Sequence, residues 1–275
     1  ENDASTAHTK NARDWVKILS EYREPDTARS SFELAVTVGG FVLLWALAWF
    51  FMATSPLLTF VISLCNAAFL LRLFIIQHDC GHSAFLKNRV LSDWLGRALG
   101  IVTLTPYDVW RSSHALHHSS SGNLGRRGMG DVHTLTVEEY QAKTPVQRLL
   151  YRLYRHPLVL FGLGPGYLFI LQNRLPLGFT GHAKYWVSSM GTNAVIFIAL
   201  AVMFYFGGVM PILLIFLPST LLAASAGVWL FYVQHQFEDT HWEAEQDWDL
   251  HDAALHGSSH YVLPSVLQWL SGNIG

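Results

Sequence analysis

LAVTVGGFVLLWALAWFFMATSPLLTFVISLCNAAFLLRLFII, residues 34–76, decides the fold. It holds two apolar runs, 34–53 and 57–76. Each is about 20 residues long, the length that carries a helix across the hydrocarbon core of a bilayer. Only Thr54-Ser55-Pro56 separates them, so the two spans must run antiparallel as a membrane hairpin. A second pair, 188–209 and 211–233, breaks at Met210-Pro211 and reads the same way. The predicted fold is therefore an all-α membrane protein with four transmembrane helices in two hairpins. A helical cap lies between and after them.

Composition agrees. Hydrophobic residues make up 51% of the chain and charged residues 14%, and mean hydropathy is positive, which is unusual for a water-soluble chain. Net charge is −2 with no basic stripe, which argues against a nucleic-acid partner. The first 33 residues are polar and do not read as a signal peptide. Cys65 and Cys80 carry no disulfide pattern, since one lies in a span and the other beyond it.

Lys and Arg distribution orients the hairpins. Lys10, Arg13, Lys17, Arg23 and Arg29 lie in the N-terminal tail, and most of the rest lie between Lys87 and Lys184, while neither hairpin tip carries any. The positive-inside rule then places tail, central segment and C-terminal segment in the cytosol. Arg72, near the end of its span, is expected to snorkel to the interface. The reading is one membrane domain, 1–275: a tail 1–33, a first hairpin 34–76, a cap 77–187, a second hairpin 188–233 and a cytosolic segment 234–275. Within the cap, 88–109 reads as an interfacial helix and a turn, and 119–130 as a polar Gly-rich loop. Residues 158–171 read as a re-entrant or interfacial piece, being apolar but short and broken by Gly and Pro.

The chemistry sits where the first hairpin ends. His78-Asp79-Cys80-Gly81-His82 places two histidines four apart, and His114-Ala115-Leu116-His117-His118 places three at i, i+3 and i+4. Each set shares one helical face. Five imidazoles beside a membrane are costly to desolvate without a common partner, and a transition metal, more than one ion for a set this rich, is the natural one. His235 follows the fourth span as His78 follows the second, and joins as a sixth candidate ligand. Glu238 and Asp239 are candidates to ligate metal or orient ligands, or are a solvated helix end. His8, His133, His156, His182, His241, His251, His256 and His260 stand apart and are left out. Hydrolytic zinc would use three ligands and a carboxylate base and leave several imidazoles idle. Two irons activating dioxygen would use them all, and would give an oxidant able to attack an unactivated C–H bond.

At these strings the chain resembles the membrane fatty acid desaturases, most closely the bacterial acyl-lipid desaturases of Δ12 or ω-6 type. The likeness rests on HDCGH at 78–82, LTPYDVWRSSHALHH at 104–118, SGNLGRRGMGD at 121–131, YRLYRHPLVLFGLGP at 151–165, GVWLFYVQHQFEDT at 227–240 and ALHGSSHYVLP at 254–264. The resemblance implies an enzyme that places a cis double bond in a long, lipid-linked acyl chain. It implies two non-haem Fe ions, O2 as co-substrate, and electrons from a small redox protein, ferredoxin-like or cytochrome b5-like. It implies that His78, His82, His114, His117 and His118 are ligands, with His235 a further one. It also implies an integral membrane protein, of a bacterial inner membrane. No fused cytochrome b5 module is expected, since His156-Pro157 is followed by Leu158-Val159. The family's third box, His-x-x-His-His, would follow Gly272-Asn273-Ile274-Gly275, where this sequence stops. The expected activity is thus that of a longer parent chain. An apolar tunnel is expected between hairpins and cap, with Phe85, Trp110 and Trp229 as candidate lining. A hydroxylase, ketolase or alkane oxygenase is the nearest rival, and a non-catalytic metal-binding membrane protein the more distant one.

Overall fold

The structure, a computed structural model, describes residues 18, 20, 24–128 and 130–273. His8, Lys10, Arg13, Lys17, Arg23, Ile274 and Gly275 lie outside the described residues. Among those described there is no strand, only an isolated bridge between Asn123 and Glu243.

Helix α1, Thr27–Phe51, begins upstream of the apolar run because Asp26 caps it. The Asp26 carboxylate accepts from the backbone N–H of Ala28 (2.9 Å) and Arg29 (3.2 Å), two donors with no partner inside the helix. Helix α2, Pro56–Gly81, opens on Pro56, whose missing N–H costs nothing at a first helical position. It runs past Ile76 and carries His78 out of the span as continuous helix. After the cap, α7 is Ala183–Gly207. The fourth span starts as a wide π-helical turn, Ile212–Phe216, just ahead of Pro218, which cannot donate to a carbonyl one turn back. It continues as α8, Leu217–His235. All four helices are long and apolar enough to cross a membrane.

They are not equivalent. Half of the α2 span is buried, against 11% of α1 and 6% of α7, so α2 is the central post and the others turn their apolar faces outward. Phe50, Phe197, Tyr205 and Phe206 are largely exposed, as lipid-facing residues are. Small polar groups join the spans. The Thr59 hydroxyl donates to the Ala48 carbonyl (3.2 Å) across the first hairpin, and the Ser219 hydroxyl donates to the Ser63 carbonyl (2.9 Å) between α8 and α2. Between helices in lipid, where apolar burial gives no net drive, such contacts and close packing hold the bundle.

Arg72 does not snorkel. It is buried and pairs with Glu33 of α1 at 3.1 Å, while the Trp269 indole N–H donates to the same carboxylate (2.7 Å) and the guanidinium lies 5.0 Å from the Trp269 ring. The trio ties the short helix Ser265–Ser271 to the first hairpin. Replacing Arg72 by alanine would leave Glu33 buried without its cation. The expected loss is about 3–5 kcal/mol, read as a lower thermal midpoint in detergent, and an R72M/E33L double variant should lose much less.

The cap is braced before it reaches the histidines. Helix α3, Arg89–Val102, and helix α4, Tyr107–Ser120, are joined by a short turn. Arg97 donates two bonds of 2.9 Å to Asp108, and Asp93 accepts from the Tyr107 hydroxyl (2.8 Å) and from Arg111 (2.7 Å). Burial alone would raise the Asp108 carboxyl, yet the Arg97 hydrogen bonds hold it below its ordinary value. The Tyr107 ring packs so closely on Gly96 that a Cβ there would sit 2.3 Å from it. Two short helices follow, α5, Val137–Ala142, and α6, Pro145–Arg155.

Next come wound turns: π-helical Val159–Leu163, Gly164–Gly166, π-helical Tyr167–Leu171 and a 3₁₀ turn Gln172–Arg174. They lie along α8: Phe161 meets Tyr232 edge-on at 5.2 Å, and Gly166 faces Leu221. Arg174 then bonds Asn193, inside the third span, at 2.8 Å. The expected re-entrant piece is thus a helix of uneven pitch packed on a span. Cys65 and Cys80 are both free.

Candidate metal centre

Three helices bring the histidines together. α2 supplies His78 and ends with His82 as its C-cap; α4 supplies His114, His117 and His118; α8 ends on His235. The ring nitrogens of His78, His82, His114 and His118 lie within 4.8 Å of one another. Nε2 of His82 is 3.2 Å from that of His78 and 3.0 Å from that of His114, which is itself 3.0 Å from that of His118. His117 turns the other way along α4 and meets His235, Nε2 to Nε2, at 3.2 Å. The six residues therefore form two adjoining groups, one of four and one of two.

These distances are a chemical problem for bare imidazoles. Nε2 of His114 has one lone pair or one N–H, yet faces two nitrogens at hydrogen-bond distance. The second group is more telling. The Asp131 carboxylate holds Nδ1 of His117, and the Gly257 carbonyl accepts from Nδ1 of His235 at 3.0 Å. Both Nδ1 atoms then carry their hydrogens, and in the neutral rings both Nε2 atoms present lone pairs to each other. Facing lone pairs repel unless a cation lies between them. Two nitrogens bound to one ion at about 2.1 Å lie about 3.0–3.4 Å apart, so the spacings in both groups fit ligands sharing an ion.

Protonation favours the same use. Burial, reinforced by the neighbouring His78, pushes His114 down to about 2. Burial and His82 push His118 to about 4, and His82 is lowered too, by burial and then His78. At neutral pH these rings are uncharged, the form that binds metal. Aromatic rings wall the site: Trp110 stacks on His114 at 4.8 Å, and Phe231 lies 5.0 Å from His117 and 5.3 Å from His235.

Asp131 and Gly257 have no counterpart in the histidine spacing. Asp131 sits on an irregular loop fourteen residues after His117, so no helical period marks it. Gly130, at φ +79°, lets that loop pass beside α4, where a Cβ would come 3.3 Å from the His117 Cβ. The loop is held by the C-terminal segment: Leu124 N–H donates to the Glu243 carbonyl (2.8 Å), Glu243 N–H to the Gly122 carbonyl (2.9 Å) and the Trp248 indole to the Ser121 carbonyl (2.9 Å). Glu238 and Asp239 are exposed beyond the end of α8 and touch no histidine of the two groups, so theirs is the solvated helix end. His133, His156, His182, His241, His251, His256 and His260 lie outside both groups; His241 pairs with Glu243 at 3.1 Å.

A cavity of about 500 Å³ opens beside the histidine groups. His78, His114 and His117 form its polar end, and Leu70, Leu71, Phe74, Ala224 and Phe231 are among its apolar walls. Of the three aromatics singled out from the sequence, Trp110 lines it. Phe85 is buried instead in a core with Leu73, Ile76 and Tyr107, and Trp229 is half exposed on the outer side of α8.

The family model for "Fatty acid desaturase" matches residues 54–275. A "Fatty acid desaturase" of Bacillus subtilis is 44% identical over 261 residues, covering 94% of this chain and 74% of that protein. An "sn-1 acyl-lipid omega-3 desaturase (ferredoxin)" of Synechocystis is 29% identical over 54% of this chain and 41% of its own length. A "Delta(12) fatty acid desaturase" of Calendula officinalis is 32% identical over 42% of this chain and 26% of its own. The matched stretch takes in α2, both histidine strings, the second hairpin and His235, and on that footing the chain belongs to the fatty acid desaturase family, oxidoreductases that act on fatty acids.

Proposed function

We propose that the protein introduces a cis double bond into a long acyl chain carried on a membrane lipid, as a desaturase of Δ12 or ω-6 type. The observation that carries this reading is the pair of nitrogens, His117 Nε2 and His235 Nε2, held face to face beside the group of four, with an apolar cavity lined by His78, His114 and His117 alongside. His78, His82, His114 and His118 would hold one iron, and His117 and His235 would contribute to a second. Asp131 and Gly257 fix the ring orientation of that pair. When bound, the two irons would supply the oxidising power of dioxygen: with two electrons from the donor and two protons, one O2 takes two hydrogens from adjacent methylenes and ends as two waters.

The residues do the rest. The cavity walls exclude water and hold a saturated chain by shape, which is how one methylene pair is chosen among many alike. Trp110, stacked on His114, and Phe231, beside His117, present apolar faces to the chain. The printed name of the Synechocystis relative carries both an acyl-lipid substrate and ferredoxin, which supports a separate ferredoxin-like or cytochrome b5-like donor here. The Lys and Arg distribution supports a multi-pass protein of a bacterial inner membrane, with the histidines and both termini cytosolic.

Expression of the full-length protein with a competent donor, in cells whose lipids lack dienes, should yield a new double bond detectable by fatty acid mass spectrometry. Iron-loaded protein that forms none would overturn the reading, and a hydroxylated product would move it to oxygen insertion.

A further inference from the structure

Helix α6 is amphipathic, but it is packed the wrong way round for a helix in water. Val146, Leu149, Leu150 and Leu153 fall on one face, and each is half or more exposed. The opposite, polar face is the one that meets the protein. Arg148 donates to the Lys143 carbonyl (3.0 Å), Arg155 to the Gln236 side chain (2.9 Å). The Tyr151 hydroxyl accepts from Leu135 N–H (3.2 Å) and the Tyr154 hydroxyl from His133 N–H (3.0 Å). A helix on a soluble surface buries its apolar stripe and solvates its charges. Reversal of that rule requires apolar surroundings on the outer side.

The surface next to α6 says what those surroundings are. The chain passes from α6 through exposed Leu158 into the wound turns, where Leu163 and Leu171 are also exposed. Those turns pack on α8, a membrane-crossing helix. The apolar face of α6 is therefore continuous with surface that lies against lipid. Its N-terminus is fixed by a capping box between Thr144 and Gln147, so the helix is preformed.

We propose that α6 is an interfacial membrane helix whose Val146, Leu149, Leu150 and Leu153 face lies among lipid acyl chains just beneath the headgroups. The occupant is the bilayer that the four spans already require, and the inference stands whether or not the desaturase reading does. Its role follows from what it leads into: Leu168, Phe169, Leu175 and Leu177 are a wall of the cavity, and α6 anchors that wall to the membrane surface.

The test is spin-label accessibility on the full-length protein in phosphatidylglycerol–phosphatidylethanolamine nanodiscs, with Cys65→Ser as background. Labels on Leu149→Cys, Leu150→Cys and Leu153→Cys should favour membrane-soluble oxygen over a water-soluble nickel chelate, severalfold more than a label on Glu138→Cys, which is exposed on α5. Labels on α6 that favour the chelate would overturn the proposal by placing the face in water. Immobile labels shielded from both reagents would overturn it too, by showing protein on that face. Because each substitution sits on the outer surface, the fold is not at risk from the probe.

Discussion

Replacing His114 by alanine is expected to abolish metal loading and product formation together. Its Nε2 is the hub of the group of four, 3.0 Å from both His82 and His118, and its ring is stacked on Trp110. Residues that only orient a ligand typically change metal affinity by about 10–100-fold, so loss of a central ligand should exceed that range. Asp131→Ala supplies the comparison. It removes no ligand atom but frees the His117 ring, and should weaken metal affinity by about 10–100-fold with partial activity at high iron. Metal analysis of the purified proteins, with lipid desaturation in cells, checks both. An unfolded variant would also lose metal, so the thermal transition of the metal-free protein must be unchanged in His114→Ala. Burying His114 beside three other imidazoles costs the metal-free fold, so no loss is expected there. Full iron occupancy in His114→Ala would remove the group of four from the proposed centre.

The four spans and the two boxes were legible because each follows a period. Apolar length set the spans, and i, i+3, i+4 spacing put the histidines on shared faces. His235 was legible by a weaker sign, its place at the end of a span like that of His78. What spacing cannot show is a partner that arrives from elsewhere in the chain. Asp131 reaches His117 from an irregular loop, Gly257 reaches His235 from the end of the short helix Leu250–His256, and Glu33 reaches Arg72 from another span. Arg72 near a span end reads as a snorkelling residue until Glu33 and Trp269 are seen beside it. For Glu238 and Asp239 the sequence left two roles open, and the solvated helix end holds because α8 ends on His235 and the chain carries them outward. The exposed stripe of α6 was equally invisible, since a pattern of apolar and basic residues does not say which face meets the protein.

The second large effect is expected inside the cavity, from Ala224→Phe. Ala224 is buried and lines the cavity. It precedes His235 on one helical run, which at 1.5 Å per residue puts it roughly 16 Å from that histidine. A phenyl ring there would fill part of the cavity about three helical turns from His235. Long acyl chains should lose at least about tenfold in conversion, equal to about 1.4 kcal/mol of transition-state stabilisation, while metal content stays constant. Shorter chains should lose less, so the product spectrum shifts towards them. Were the site already packed, the ring would instead strain the core by about 1–3 kcal/mol and lower thermal stability without any change in chain-length preference. Product distribution and thermal midpoint measured on one preparation therefore separate a tunnel from a core. Unaltered chain-length preference at unaltered stability would mean that the acyl chain lies elsewhere.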